Sequence, residues 1–209
     1  MQNKILPVYL ENSFEKIYGN FGYRFAALFL DGFIVAPLTL IVMYANSMNL
    51  YNHYVTFPIS QLIMLAYHVY LPVRFGATPG KQIMGLKILK LNGTPISYKE
   101  SFLRYVLLFS VSLFTGILLL VAVSYADASL FNDLSWTKQQ NYLQSFSGYW
   151  NFISVGVIYL VYFGSFIYFM LDDRNRSLND LIAGTVVVKS HLIIDVEEWV
   201  EQNEKEVTN

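Results

Sequence analysis

Charged positions along this chain are spaced so as to leave three long apolar gaps. No Asp, Glu, Lys or Arg lies between Asp31 and Arg74, between Arg104 and Asp127, or between Lys138 and Asp172. The first gap is long enough for two helices and is broken by polar residues from Asn46 to Asn52. The pattern predicts four membrane spans, over about 22–45, 55–73, 102–124 and 149–171. Each window approaches the ~20 residues that a hydrocarbon core of ~30 Å requires. Helices are expected because lipid offers the backbone no hydrogen-bond partner. Tyr44, Tyr51, Tyr54, Tyr105, Tyr149 and Trp150 fall near the predicted ends, where an aromatic belt would place them.

Composition strengthens this reading. Of the 209 residues, 55% are hydrophobic and 14% charged, against about 25% charged in soluble domains. Four spans and their connections fill most of the chain and leave no room for a large soluble domain. Cysteine is absent, which excludes disulfides, thiolate catalysis and thiolate-bound metals. A net charge of −1 gives no basic footprint for nucleic acid. The first 20 residues contain Pro7, Glu11, Glu15 and Lys16 and no apolar run of signal-peptide type, so the first span is expected to remain as an anchor.

Lys and Arg set the expected orientation. Arg74, Lys81, Lys87, Lys90 and Lys99 lie between spans two and three, and Arg174, Arg176 and Lys189 follow span four. Lys4, Lys16 and Arg24 precede or open span one. The connection between spans one and two has neither Lys nor Arg, and that between spans three and four has only Lys138. The positive-inside rule therefore places both termini in the cytoplasm. Three regions are expected: a cytoplasmic segment over 1–20, a transmembrane domain over 21–190 and an acidic cytoplasmic tail over 191–209, either solvated or a short surface helix.

Two segments resemble each other at an offset of 99 residues, TPGKQIMGLKILK from Thr78 to Lys90 and SLNDLIAGTVVVK from Ser177 to Lys189. Ile83 aligns with Ile182, Gly85 with Gly184, Ile88 with Val187 and Lys90 with Lys189. Each follows an even-numbered span and ends in a β-favouring stretch. Arg24 in YRFAALF and Arg104 in RYVLLF open the two halves. The predicted fold is thus an all-α transmembrane four-helix bundle of two tandem two-helix units. Each unit closes with a short cytoplasmic amphipathic turn and a strand, and the two strands pair antiparallel in a small β-ribbon.

Candidate chemistry concentrates in a few polar positions. Arg24 and Asp31 are seven residues apart, hence on one face of the first helix and about 10 Å apart along its axis. An Asp at that depth costs up to about 3 kcal/mol and should face the bundle interior with a partner. Ser177 and Asp180 have the spacing of a helix start capped by Ser177. In the other copy, Pro79 and Gly80 suggest a turn or a pre-set helix entrance, and the segment from Thr78 to Lys81 could present the backbone N–H groups of its residues other than Pro79 to an anion, but the full nucleotide-binding pattern is missing. Gln61 and His68 share a face of span two and could form a polar path with Asp31. His53 falls in a loop and His191 follows the last strand. No cluster has metal-ligand spacing, no cofactor motif occurs, and no nucleophile–base constellation points to an enzyme.

Arg24, Asp31 and Asp180, the segment Gly76–Lys81 and the LNDLIAGTVVV ending together resemble the RDD family of bacterial membrane proteins. That family is named for an Arg and an Asp of its first transmembrane helix and an Asp of a later segment. The resemblance covers about residues 20–190. It implies a multi-pass protein of the bacterial cytoplasmic membrane, for which transport of ions or small ligands has been proposed. Two readings follow. In one, Asp31 is an intramembrane site for H⁺ or Na⁺, with Arg24 tuning it and Asp180, His68 and Gln61 along the pathway. In the other, Arg24, Asp31 and Asp180 form a structural network in a non-catalytic scaffold or accessory subunit. Expected partners are the lipid bilayer and either a second copy of the chain or another membrane protein.

Overall fold

The computed structural model describes residues 5–10 and 15–208, without the side chains of Asn151 and of 203–208. Lys4 and Glu11 lie outside the described residues. Among the described residues four helices are long and apolar enough to cross a membrane: Phe21–Met48, Asn52–Phe75, Tyr98–Tyr125 and Phe152–Leu171. Only 0% to 17% of the residues in each apolar window are buried. Surface this apolar that turns away from the protein needs lipid around it, so this is a multi-pass membrane protein. Phe21, Phe25, Phe29 and Phe33 form one such outward ladder at i, i+4 spacing, with neighbouring ring centroids 5.2 to 6.4 Å apart.

In chain order, α1 spans Phe21–Met48, α2 Asn52–Leu65 and α3 Leu71–Phe75, with a π-helical turn over Ala66–Tyr70 between the last two. The short helix α4 (Pro79–Ile83) leads into β1 (Leu86–Lys90). Helix α5 spans Tyr98–Tyr125, α6 Ala128–Asp133, α7 Trp136–Ser147 and α8 Tyr149–Leu171. Then α9 (Leu178–Ala183) leads into β2 (Thr185–Lys189), and α10 spans Ile193–Thr208. The first three spans run a few residues beyond the windows that the apolar gaps suggest, while the fourth, Phe152–Leu171, lies within its expected 149–171.

The repeat is visible in the backbone. Thr78 and Ser177 are both extended N-caps of their short helices, and Gly85 and Gly184 both turn left-handed, with φ of 64° and 63°. β1 and β2 pair antiparallel in a register that sets Ile88 opposite Val187. These residues are equivalent in the repeat, so the ribbon pairs about its own local two-fold.

By packing, however, the chain divides differently from its repeat. Unit 1 is 1–34, 67–105 and 163–209, and unit 2 is 35–66 and 106–162. The boundaries cut across all four long helices instead of between the tandem halves. The reason is that the strands and short helices of both halves share a core.

In unit 1 the ribbon is covered on both faces, which explains why TVVVK is apolar without alternation. One face packs Val186, Val188 and Leu89 against Leu6, Ile17, Tyr18 and Val196. The other packs Ile88, Leu86 and Val187 against Ala27, Ala77 and Ile96. The acidic C-terminal region is thus the amphipathic helix α10, whose Val196 is fully buried.

In unit 2, the connection between spans three and four contains α6 and α7. Phe131, Leu143, Leu50, Ala122 and Val123 form its core. Gln139, buried, donates its side-chain N–H to the Ser47 and Phe131 carbonyls. His53 belongs to α2, not to a loop. It is buried, contacts the Leu50 carbonyl at 2.9 Å and meets the Phe131 ring edge-on. A Cβ on Gly116 would stand 1.8 Å from Phe57 Cε2, so the bare glycine is what lets that ring lie against the α5 backbone.

Tyr105 also departs from expectation. It is 6% exposed and stacks on His68 at 4.6 Å, so it is an interior residue and not part of an aromatic belt. Tyr149, the first residue of α8, is 85% exposed.

Candidate functional site

Among the described residues of unit 1 two carboxylates are buried, each beside one of the repeated short helices. Asp180 is the third residue of α9 and is completely buried. It forms a capping box with Ser177: the Ser177 hydroxyl accepts from the Asp180 N–H at 3.3 Å, and the Asp180 carboxylate accepts from the Ser177 N–H at 3.0 Å. Arg24, one turn into α1, pairs with Asp180 at 2.5 Å. Arg104, near the start of α5, pairs with the other carboxylate oxygen and also donates to the Thr185 hydroxyl at 2.6 Å. Burial alone would raise the Asp180 pKa. The guanidiniums of Arg104 and Arg24 override it and hold the carboxyl well below its ordinary value. Arg24 is fixed further by the Gly19 carbonyl at 3.2 Å, and its guanidinium lies 5.3 Å from the centre of the Phe169 ring.

Asp31, 7% exposed, serves the other short helix. One of its oxygens accepts from the Tyr67 hydroxyl at 2.5 Å and the Gly80 N–H at 2.7 Å. The second accepts from the Thr78 hydroxyl at 2.7 Å. Lys81 Nζ lies 4.0 Å from it and donates to the Thr78 hydroxyl at 3.3 Å. Burial, and then Arg104, lower the Lys81 pKa to about 8 against the pull of Asp31 and Asp180.

Thr78 occupies the N-cap position of α4, but its side chain makes no capping hydrogen bond to that helix. Asp31, from a membrane helix, supplies that cap in its place, satisfying a free N–H and facing the positive end of the helix. The backbone anion site read from TPGK is therefore occupied by the protein's own carboxylate.

The two copies invert their charges. In the first, the acid is on the membrane helix and the cation, Lys81, on the short helix. In the second, the cation Arg104 is on the membrane helix and the acid Asp180 on the short helix. Arg24 does not pair with Asp31 across their shared helical face; it joins α1 to the second copy. A model of the RDD family matches residues 18–184.

The chain belongs to the RDD family.

Comparison with curated proteins and with solved structures gives no match. In this RDD-family chain, Arg24, Asp31 and Asp180 are brought into unit 1 as two carboxylate centres, not as one triad. Among the described residues no group of three or more His, Cys, Asp or Glu could hold a metal ion. His68 is stacked on Tyr105, and Gln61, in unit 2, donates to Ser112 at 2.8 Å. Neither side chain hydrogen bonds Asp31.

Sequence reasoning missed three participants. Tyr67 lies in the π-helical turn, which no pattern announced. Thr185 reads as an ordinary strand residue. Arg104 was visible as the partner of Arg24 in the repeat, and that alignment was the signal for its role.

Proposed function

We propose that this RDD-family protein is a non-catalytic membrane scaffold or accessory subunit, in which Arg24, Asp31 and Asp180 lock the ribbon and its short helices to α1 and α5. The observation that carries the reading is the occupancy of Asp31. Both of its oxygens accept hydrogen bonds from the protein, three in all, inside a nearly dry site. An intramembrane ion-binding carboxylate needs an oxygen open to water or to the ion, and the Arg expected to tune Asp31 is committed to Asp180.

Replacing Asp31 by Asn tests this. The amide keeps the shape but loses charge-assisted acceptance, so stability should fall by about 2 kcal/mol. In detergent, the unfolding midpoint should drop by about 4–8 °C. Flux of H⁺ or Na⁺ into proteoliposomes should match that of empty vesicles for both proteins. Wild-type flux that vanishes in Asp31→Asn while the midpoint holds would overturn the locking reading in favour of transport.

We place both termini, the ribbon and the short helices in the cytoplasm of a bacterial cell, as the distribution of Lys and Arg supports. Single cysteines test this against a background free of native thiols. At Ser135, exposed before α7, a cysteine should react with an impermeant maleimide in intact cells. At Ser97, exposed before α5, it should react only after permeabilisation. The reverse pattern would invert the topology.

A further inference from the structure

Arg74 and Lys87 are two cations of unit 1 that no acid among the described residues answers. Elsewhere in the unit, Lys90 pairs with Glu100 at 3.5 Å, Arg176 with Asp172 at 2.6 Å and Lys189 with Glu15 at 2.6 Å. Arg74 stands in the last turn of span two, is exposed, and its guanidinium has no partner among the described residues.

Lys87 comes from β1, yet its stem is laid back across the end of that same span. A Cβ on Gly76 would stand 2.9 Å from Lys87 Cγ and 3.0 Å from Cε. The bare, left-handed Gly76, with φ of 83°, is what leaves room for it. The strand is tied to the same spot, because the Ile88 N–H donates to the Gly76 carbonyl at 2.8 Å. With Cε there, the ammonium one bond further on emerges beside the helix end, two residues from Arg74. The negative pole of that helix end favours a cation, but it carries only about half a charge for two of them.

The surroundings set the chemistry of the missing anion. Phe75, next to Arg74, and Tyr70, one turn before it on the same face, are both exposed. They close a span that lipid surrounds, so their rings belong at the boundary of acyl chains and headgroups. Cations at that level meet the phosphate layer. A free anion would gain the two charges but nothing from the rings. We propose that Arg74 and Lys87 hold the phosphodiester of one anionic phospholipid, with Tyr70 and Phe75 against its glycerol and upper acyl carbons. The locking role of Arg24, Asp31 and Asp180 uses none of these four residues.

The full-length protein in a neutral detergent tests this. Native mass spectrometry counts bound lipid during titration with phosphatidylglycerol or with phosphatidylcholine of the same acyl chains, and inorganic phosphate serves as competitor. A first, saturable phosphatidylglycerol is expected, bound about tenfold tighter than phosphatidylcholine and not displaced by equal inorganic phosphate. Arg74→Gln and Lys87→Gln should each weaken it by about fivefold, and the double variant by about 25-fold, while Arg74→Lys and Lys87→Arg retain it. Lys99→Gln, which removes an exposed cation from the first turn of α5, should leave it unchanged. Neither Arg74 nor Lys87 gives up an ion pair among the described residues on becoming Gln. Lipid-free unfolding midpoints should therefore stay near that of wild type, which separates lost binding from lost folding. The proposal is overturned if the two lipids bind alike, if inorganic phosphate displaces phosphatidylglycerol, or if Lys99→Gln weakens binding as much as Arg74→Gln does.

Discussion

Asp180→Ala is expected to destabilise the protein by about 3–5 kcal/mol, the range for breaking a buried ion pair by removing one partner. Asp180 is the common anion of Arg24 and Arg104, both of which are seven-eighths buried or more. Its loss leaves two guanidiniums close together without a counter-charge, removes the acceptor for the Ser177 N–H and opens the start of α9. Urea unfolding in detergent, followed by far-ultraviolet circular dichroism, reads the effect. Removing the cations as well should recover much of the loss, so Arg24→Met/Asp180→Leu/Arg104→Met should be more stable than Asp180→Ala. A cost under about 1 kcal/mol for Asp180→Ala would mean that Asp180 is not the keystone described here. The pH dependence has a definite sign. The folded carboxyl lies below its ordinary 3.8, so its stabilisation is complete above about pH 5. It is lost only as pH falls through the depressed folded value. Mild acid should therefore leave this centre intact.

Gly80→Ala should be the next most damaging single change, at about 3 kcal/mol or more. A Cβ at Gly80 would lie 2.4 Å from the Ala27 carbonyl oxygen and 2.7 Å from the Asp31 backbone nitrogen and carboxyl carbon. Two of these atoms are backbone of α1 and cannot swing aside. The short helix would have to retreat, stretching the 2.7 Å bond from the Gly80 N–H to Asp31. The same unfolding measurement applies. Gly156→Ala is the matched control, since a Cβ there meets nothing within 4 Å. Equal midpoints for the two variants would refute the close approach of α4 to α1.

These two predictions show what was legible beforehand and what was not. The N-cap role of Ser177 could be read from Ser177 and Asp180 alone, because a capping box is local chemistry between residues three apart. That Thr78 would leave its own helix uncapped could not, since its replacement cap, Asp31, lies 47 residues away. The pairing of Arg24 with Asp180 spans 156 residues. On the sequence, Asp31 seemed the natural neighbour, because helical periodicity reports only which residues share a face, not what the face meets. Tyr105 was misplaced for a related reason: its position near a helix end fits a lipid interface, while its stacking on His68 depends on how α5 packs.

By itself the sequence determined that the chain crosses a membrane four times, because removing charge over some 20 residues leaves lipid as the only tolerable solvent. It also determined the repeat and the antiparallel ribbon, because side-chain patterns at a fixed offset impose the same local geometry twice. Tertiary structure alone decided which charge answers which. Coulomb attraction and hydrogen bonding act over a few ångströms of space irrespective of chain distance. The inversion of acid and base between the two copies therefore became a lock only when α1 and α5 came to lie beside the short helices.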